Sequence, residues 1–308
     1  MDLISLHYFM ELANDLNMTR TAERLFLSHQ TLGNHIRRLE EELGCPLILR
    51  QKGVQKITLT STGKAFVPVA AQWIEAEKAV LRFKESCSKK ILHLTTGATA
   101  HEYITAPLIR KMLSRDPELD LQLHCIERNG RNLERALEGH VTDVVFYFGP
   151  LPIQTPLATS MPFFREDFYL LCRTDTPLPE GVVTPDMLDP AFEITQAFPN
   201  QSRQNWHREH FPDAPQPYAS VVSTLTMPVH FQDSRCWAAV PINTARLMVQ
   251  QVPEKLTIRK LQPCPSRQYH IAIIKGYAHP EVIENLLDCC REYLAERPYL
   301  QSLLPEDI

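Results

Sequence analysis

Residues 19–50 read TRTAERLFLSHQTLGNHIRRLEEELGCPLILR, and this stretch decides the fold of the N-terminal part of the chain. Its apolar residues recur at steps of four, three and four, which is the spacing of one face of an α-helix: Leu32, Ile36, Leu39 and Leu43. Ser28 stands where a helix N-cap is expected, and Gly44 stands where a glycine often ends a helix. The pattern therefore predicts a helix over residues 29–43.

Shorter helical segments precede this helix. The segment RTAERLF follows Thr19, which we expect to be its N-cap because a threonine hydroxyl accepts hydrogen bonds from first-turn amides. An earlier run has helical spacing as well, with Leu3, Leu6 and Phe9 on one face. Three short helices, the last two separated by a tight turn at Leu27-Ser28, predict a helix-turn-helix.

Side chains that suit DNA occupy the face of helix 29–43 opposite its apolar stripe. Asn and Gln can bond the edge of adenine, and Arg can bond guanine. Three glutamates, residues 40–42, follow in the C-terminal half, where DNA phosphates would repel them, so we expect the N-terminal half to enter the major groove. A solvated helix face with ordinary charges is the alternative. The candidate DNA-binding residues here are Thr19, His29, Gln30, Thr31, Gly33, Asn34, Arg37 and Arg38.

The next segment, LILRQKGVQKITLT, alternates around a glycine and predicts a two-stranded basic wing. Arg50 and Lys52 of this wing are placed to reach the flanking DNA backbone or minor groove. Residues 1–60 are therefore predicted to form a winged helix-turn-helix domain.

Residues 61–88 read as one long helix. Its apolar residues alternate steps of three and four over three heptads, a seam that requires a partner helix. We predict that this linker dimerises; packing against the chain's own C-terminal part is the alternative. The candidate dimerisation residues are Phe66, Val69, Trp73, Val80 and Phe83.

After residue 88, strands and helices alternate. The segments ILHLTTG, DLQLHCI and DVVFYF read as strands with helices between them, a βαβαβ order that predicts a parallel sheet. A second block follows, before a last strand, RQYHIAIIKG, and a closing helix. We therefore predict an α/β domain over residues 89–308, with subdomain I formed by 89–164 and 267–308 and subdomain II by 165–266.

The net charge of −4 divides unevenly along the chain. Residues 1–90 hold 13 Lys/Arg and 10 Asp/Glu, a net of +3, and the remainder therefore carries −7. Because salt screens charges over about 10 Å, the local sign matters more for phosphate attraction than the total. The imbalance favours nucleic acid as a partner of the N-terminal part.

Several other classes of protein are disfavoured by composition. No apolar run approaches the roughly 18 residues of a membrane span, and the first residues lack the basic start of a signal peptide, so we expect a cytoplasmic protein that does not enter a membrane. The eight cysteines include no CxxC pair, which argues against a zinc cluster or dithiol centre. We expect reduced thiols, no metal and no cofactor.

The N-terminal sequence resembles that of the LysR-type transcriptional regulators. The matching features are Ala22, Leu25, Ser28, Ile36, the LEEELG turn, Leu-Ile-Leu-Arg in place of the usual Leu-Phe-x-Arg, and Leu59-Thr60 followed by Gly63. Two positions depart from the family pattern, since Gly33 replaces a common Ser and Asn34 a common Arg. These changes lie on the predicted reading helix, so the operator sequence is expected to differ from that of a typical relative.

The resemblance implies a C-terminal periplasmic-binding-protein type 2 fold with a small-molecule effector between its two subdomains. Ligands of such α/β domains lie at the carboxyl ends of strands and the N-termini of helices. The candidate effector-binding residues are Thr99, Ala100, His101, Arg128, Phe148, Gln196 and Phe198. Thr99 and Arg128 suit a carboxylate-bearing metabolite, although a capping or surface role is the alternative for each residue.

The resemblance also implies the partners. These are double-stranded DNA with an interrupted palindromic operator, a second copy of the chain, a tetramer of two dimers, and RNA polymerase if the protein activates transcription. A peroxide-sensing variant of the family uses a reactive cysteine pair, but no local charge pattern singles out Cys125, Cys172, Cys236 or Cys264 as a reactive thiol.

Three rival functions remain. An enzyme is disfavoured because the sequence contains no GxSxG, GxGxxG, phosphate-loop or HExxH motif, and His207 with His210 lacks a clearly placed third ligand. A solute-binding protein would leave the helix-turn-helix without a purpose. A non-specific chromosome-architecture protein would not need the predicted sensing domain.

Overall fold

The computed structural model of the chain describes residues 2–50, 56–86, 89–97, 100–125, 130–149, 152–196, 201–222 and 224–305. The chain separates into two units, Met1–Glu85 and Ser86–Ile308. Candidate residues Lys52, Thr99, Arg128 and Phe198 lie outside the described residues.

The N-terminal unit is a winged helix-turn-helix, as predicted. Its elements are α1 (Leu3–Asp15), α2 (Met18–Arg24), α3 (His29–Leu43), β1 (Ile48–Arg50), β2 (Ile57–Leu59) and α4 (Ser61–Ser86). Strands β1 and β2 pair antiparallel and form the wing. The predicted bounds of α3 are confirmed, because Ser28 Oγ accepts the Thr31 N–H at 3.0 Å and Gly44 ends the helix with a left-handed φ of 68°.

The predicted N-cap of α2 is wrong by two residues. Asn17, not Thr19, caps this helix, and its side-chain oxygen accepts the Arg20 N–H at 3.1 Å. The helix therefore begins at Met18, whose side chain is buried in the core of the unit. Asparagine caps helices at least as well as threonine, and the buried Met18 fixes the earlier start.

The core of this unit is formed where α1, α3 and the start of α4 meet. Phe9, Leu32 and Ile36 are completely buried there, together with Ala70 of α4. Each large apolar side chain of this kind contributes about 1.5–3 kcal/mol through burial. The apolar stripe that predicted α3 is therefore the face that holds the unit together.

Replacement of Phe26 by glycine is expected to stabilise this unit. Phe26 lies in the turn between α2 and α3 with a φ of 55°, and 97% of its surface is exposed. A left-handed conformation costs an L-residue about 1–2 kcal/mol, and the exposed ring recovers nothing by burial. Although glycine also gains freedom in the unfolded chain, which offsets part of this relief, we expect Phe26→Gly to raise the free energy of unfolding by about 0.5 kcal/mol in urea denaturation. Phe26→Ala keeps the Cβ and serves as the control; an equal gain in both variants would contradict this explanation.

The first half of the C-terminal unit confirms the predicted βαβαβ order. Strand β3 (Ile91–Thr96) pairs parallel with both β4 (Asp120–Cys125) and β5 (Val144–Phe148). Between β3 and β4 a short π-helix (His101–Thr105) continues into α5 (Ala106–Arg115), and α6 (Gly130–Glu138) connects β4 to β5.

The second half begins with a strand that serves two parts of the unit. Strand β6 (Ala158–Arg173) pairs through residues 158–167 with β11 (Ser266–Ile274), and from Phe168 onward with β9 (Trp237–Pro241) and β10 (Leu256–Arg259). The other elements are β7 (Ile194–Gln196), α7 (Gln201–His210), β8 (Ala219–Val221), α8 (Ile242–Gln251), α9 (Pro280–Ala295) and β12 (Gln301–Ser302), with 3-10 turns at Pro185–Met187, Pro190–Phe192 and Thr224–His230. The main sheet runs β10-β6-β11-β5-β3-β4.

Separate apolar cores lie on either side of the point where β6 changes partners. One contains Leu94, Phe146 and Leu286, and the other contains Leu171, Val240 and Met248. None of the helices within the described ranges combines the length and apolarity needed to cross a membrane.

Candidate nucleic-acid interface and effector cleft

The polar face of α3 is exposed along its N-terminal half. Ser28 caps this helix, and its hydroxyl also bonds the Thr31 hydroxyl at 2.7 Å. The exposed candidates on this face are His29, Gln30, Thr31, Asn34, Arg37 and Arg38. Gly33 differs from them because it is buried on the core side of the helix, and this burial gives no support to its predicted role as a DNA contact.

The two arginines of α3 have different surroundings. Arg38 lies 3.4 Å from Glu42 and 3.7 Å from Asp2, both measured between guanidinium nitrogens and carboxylate oxygens. Among the described residues, Arg37 donates one long hydrogen bond of 3.4 Å, to Asn34 Oδ1 on the same face. Surface ion pairs are weak, but two acidic neighbours still draw Arg38 away from phosphate. Arg37 is therefore the better placed cation for DNA.

The C-terminal half of α3 carries a structural carboxylate that the sequence pattern did not reveal. Glu40 was expected to be a solvent-exposed, DNA-repelling residue. It is half-buried, and its Oε1 accepts the backbone N–H groups of Leu47 at 2.7 Å and Ile48 at 3.0 Å. Glu40 thus fixes the start of the wing, while Glu41 and Glu42 remain on the surface side.

Another exposed cation lies at the start of α2. Arg20 is in the first turn of this helix and is exposed, whereas Thr19 beside it is half-buried. Arg24 of the same helix bonds Asp15 at 2.8 Å, and this hydrogen bond lowers the pKa of the Asp15 carboxyl. Arg20 was not among the candidates predicted from the sequence. Arg50 closes strand β1 in the wing.

Helix α4 has one face packed on the N-terminal core and another left exposed. Ala70 and Ile74 are buried, and Glu77 bonds His7 of α1 at 2.7 Å. On the other face Trp73 is 51% exposed and Val80 is 68% exposed. The exposed apolar residues of α4 are Val69, Trp73, Val80, Leu81 and Phe83.

Phe66 departs from the predicted dimerisation seam. Its ring is half-buried and lies 5.5 Å from that of Phe9, between ring centroids, within the core of the N-terminal unit. The heptad pattern could not separate it from Trp73, because both lie on the same helical stripe. Phe66 therefore packs within its own chain.

The candidate effector residues of the predicted subdomain I lie near the ends of parallel strands. Ala100 is buried, and His101 begins the π-helix, where its Nδ1 lies 3.0 Å from Thr105 Oγ1. Phe148 ends β5 and is 40% exposed. The structure brings these two strand ends together, because the Arg267 guanidinium carbon lies 5.5 Å from the Phe148 ring and 5.8 Å from the ring of Tyr103 in the π-helix. In the second half of the unit, Gln196 ends β7 and is half-buried.

The thiols considered for redox sensing have raised pKa values. Cys172 and Cys236 are buried, whereas Cys125 is exposed. Loss of hydration raises the pKa of all three thiols and of Cys264. A raised pKa disfavours the reactive thiolate, so these environments give no support to peroxide sensing.

Two family models match the chain. Residues 3–64 match the model described as bacterial regulatory helix-turn-helix protein, lysR family, and residues 88–295 match the LysR substrate binding domain. An uncharacterized HTH-type transcriptional regulator of Bacillus subtilis, YcgK, is 30% identical over 173 residues, which cover 55% of this chain and 52% of that protein. The aligned region thus spans about half the length of this relative.

Solved structures resemble the chain over most of its length. Full-length CbnR in complex with its target DNA has a TM-score of 0.66 and 19% identity, over 95% of this chain and 100% of that one. A single-residue variant of full-length OxyR from Pseudomonas aeruginosa has a TM-score of 0.58 and 22% identity, over 94% of this chain and 95% of that one. At these identities the likeness establishes the fold.

Proposed function

The chain belongs to the LysR family of bacterial transcriptional regulators, and from this premise we propose that it binds a specific DNA operator and that a small molecule modulates this binding. The observation that carries the proposal is the exposed polar face at the N-terminal half of α3. Asn34 and Arg37 there combine an amide that suits adenine with a guanidinium that suits guanine or phosphate.

The mode of DNA binding follows from the polarity of α3. Its capped N-terminus carries the exposed polar side chains, and Glu41 and Glu42 lie at the other end. We infer that the N-terminal half enters the major groove, with Arg20 and the wing residue Arg50 reaching phosphates on either side. Two reading heads joined through α4 would recognise an interrupted palindrome.

The effector is proposed to bind at the strand ends of the C-terminal unit. Ala100, His101 and Phe148 flank this region in subdomain I, and Gln196 lies in subdomain II. A carboxylate-bearing metabolite suits the amide groups at helix N-termini there. Closure of the cleft around the effector would change the relative positions of the reading heads, and through them DNA bending and recruitment of RNA polymerase at an activated promoter. Association of two dimers into a tetramer, presence in the cytoplasm and the lack of a catalytic role complete the proposal.

Nuclease footprinting on the DNA upstream of the protein's own gene, with excess random competitor DNA, tests the function. We expect discrete protection of a dyad site. Protection of many unrelated sites would instead identify an architectural DNA-binding protein. If the upstream region is not protected, selection of bound genomic fragments extends the same test, and failure to enrich any sequence would overturn operator recognition.

The two arginines of α3 are expected to differ in their importance for DNA. Arg37→Ala should weaken operator binding by about 1–3 kcal/mol, because the guanidinium is exposed beside Asn34. Arg38→Ala is the matched control, with a smaller loss, since Arg38 already has Asp2 and Glu42 as neighbours. Fluorescence anisotropy titrations at one fixed salt concentration measure the operator affinity of both variants. A larger loss for Arg38→Ala would reverse the assignment.

A further inference from the structure

A buried ion pair lies where β6 and β11 run side by side. Glu166 and Arg267 face each other in the register of these strands, and Arg267 Nε donates to Glu166 Oε1 at 2.7 Å. Glu166 is 1% exposed and Arg267 is 8% exposed. Burial of two charges sacrifices their hydration, and an apolar pair would often be at least as stable. The role of the pair is therefore better explained by the positions that it fixes than by a gain in the free energy of unfolding.

The carboxylate of this pair holds a helix of subdomain II. Glu166 Oε2 accepts the backbone N–H of Asn243 at 3.2 Å and its side-chain amide at 3.0 Å. Asn243 lies in the first turn of α8, where the N-cap residue Pro241 offers no side-chain hydrogen bond. A carboxylate at a helix N-terminus is stabilised by free N–H groups and by the helix dipole. Further along α8, Ala245 and Met248 pack into the core of subdomain II.

The guanidinium of the pair holds the π-helix of subdomain I. Arg267 Nη2 donates to the Tyr103 hydroxyl, which also bonds the Tyr269 hydroxyl. Tyr103 is buried in the core of subdomain I, and its carbonyl accepts a hydrogen bond from the Tyr293 hydroxyl at 2.9 Å. Burial raises the pKa of Tyr103 to about 12, so its hydroxyl is neutral at physiological pH.

We propose that the Glu166–Arg267 pair is a strut that sets the angle between the two subdomains. Each member of the pair bonds an element of a different subdomain, and the bonds are directional, whereas apolar contacts can slide. Glu166 and Arg267 are positioning residues in this role. The strut lies beside Phe148, a candidate effector residue, so its regulatory meaning rests on the effector function proposed above.

The angle between subdomains can be measured in the full-length protein by electron–electron double resonance. Spin labels on genetically encoded ketone residues at the exposed positions Glu118 and Glu254 report one distance across the subdomains without using thiols. Dilution with unlabelled protein removes distances between chains. We expect Glu166→Leu combined with Arg267→Met to widen the distance distribution at least twofold, without leaving a buried charge unpaired. An unchanged width would overturn the strut.

The matched control is a second buried ion pair that lies within one subdomain. Arg203 of α7 bonds Glu193, and both side chains are nearly as buried as those of the strut. Glu193→Leu combined with Arg203→Met should leave the width unchanged. Equal widening in both double variants would show a general loss of rigidity and would also overturn the strut.

Tyr103→Phe provides a milder second test. It removes only the hydroxyl through which the π-helix bonds Arg267 and Tyr269, and it tests the strut if the double variant does not fold. We expect a measurable widening, and a wild-type width would refute the strut. The distance measurement needs no effector. A negative result would overturn the strut but would not contradict the proposed function, which footprinting tests separately.

Discussion

Gly63→Ala is expected to destabilise the N-terminal unit by about 3 kcal/mol or more and to abolish operator binding. A Cβ added at Gly63 would lie 2.0 Å from the carbonyl oxygen of Leu47, far inside van der Waals contact. The obstacle is backbone that already accepts the Thr60 N–H at 3.0 Å, so it cannot move without losing that bond. The start of α4 and the start of the wing are therefore locked together at this point.

The local hydrogen bonds make the clash hard to relieve. Gly63 donates its N–H to Thr60 Oγ1 at 2.8 Å, and the hydroxyls of Thr60 and Thr62 both donate to the Pro46 carbonyl, at 2.7 and 2.8 Å. Any shift of α4 away from Leu47 would break these bonds as well. Urea denaturation would measure the loss of stability in Gly63→Ala, and anisotropy titration with operator DNA would measure the loss of binding.

Gly97→Ala is the control, because a Cβ there meets no atom of the described residues within 4 Å. It should change the free energy of unfolding by less than about 1 kcal/mol and leave operator affinity intact. If Gly63→Ala behaves like this control, the close approach of α4 to Leu47 is not a constraint on the folded unit.

Trp73→Glu is expected to convert the oligomer to monomer and to weaken operator binding at least about 100-fold, because two linked heads bind far more tightly than one. Trp73 exposes half of its surface on the apolar face of α4, beside Val69 and Val80. A carboxylate in such a seam would lose its hydration without gaining a partner. Size-exclusion chromatography with light scattering measures the mass.

Lys78→Gln is the control for the change of charge. It alters the net charge by the same single unit but lies about 140° around the helix from Trp73. Its present neighbour is Glu75, at 2.7 Å, in an exposed pair of little energetic worth. A dimeric Trp73→Glu variant would exclude this face of α4 as the interface.

The sequence predicted correctly those helices and strands that are determined by residues close together in the chain. Helix α3 could be predicted to the residue, because its apolar spacing and both of its caps lie within one short segment. The start of α2 was misplaced because two good capping residues, Asn17 and Thr19, compete and the burial of Met18 decides between them.

Features that depend on tertiary contacts were not accessible from the sequence. Phe66 and Trp73 share one stripe, and only the position of Phe9 on α1 assigns Phe66 to the core. The burial of Gly33 and the role of Glu40 at the wing depend on packing between elements. Glu166 and Arg267 are about a hundred residues apart, and their pairing is visible only once the register of β6 and β11 is known.

The register of β11 also has a consequence for synthesis on the ribosome. In the native sheet Phe148 of β5 lies opposite Tyr269 of β11. The edge of β5 therefore stays unpaired until a segment more than a hundred residues further along the chain has been synthesised. At about 5–20 residues per second, the nascent chain exposes this hydrophobic strand edge for roughly 6–24 seconds. A strand edge left open for that time can pair with another chain. The time for which this edge stays open during synthesis is therefore set by the order of the strands along the chain.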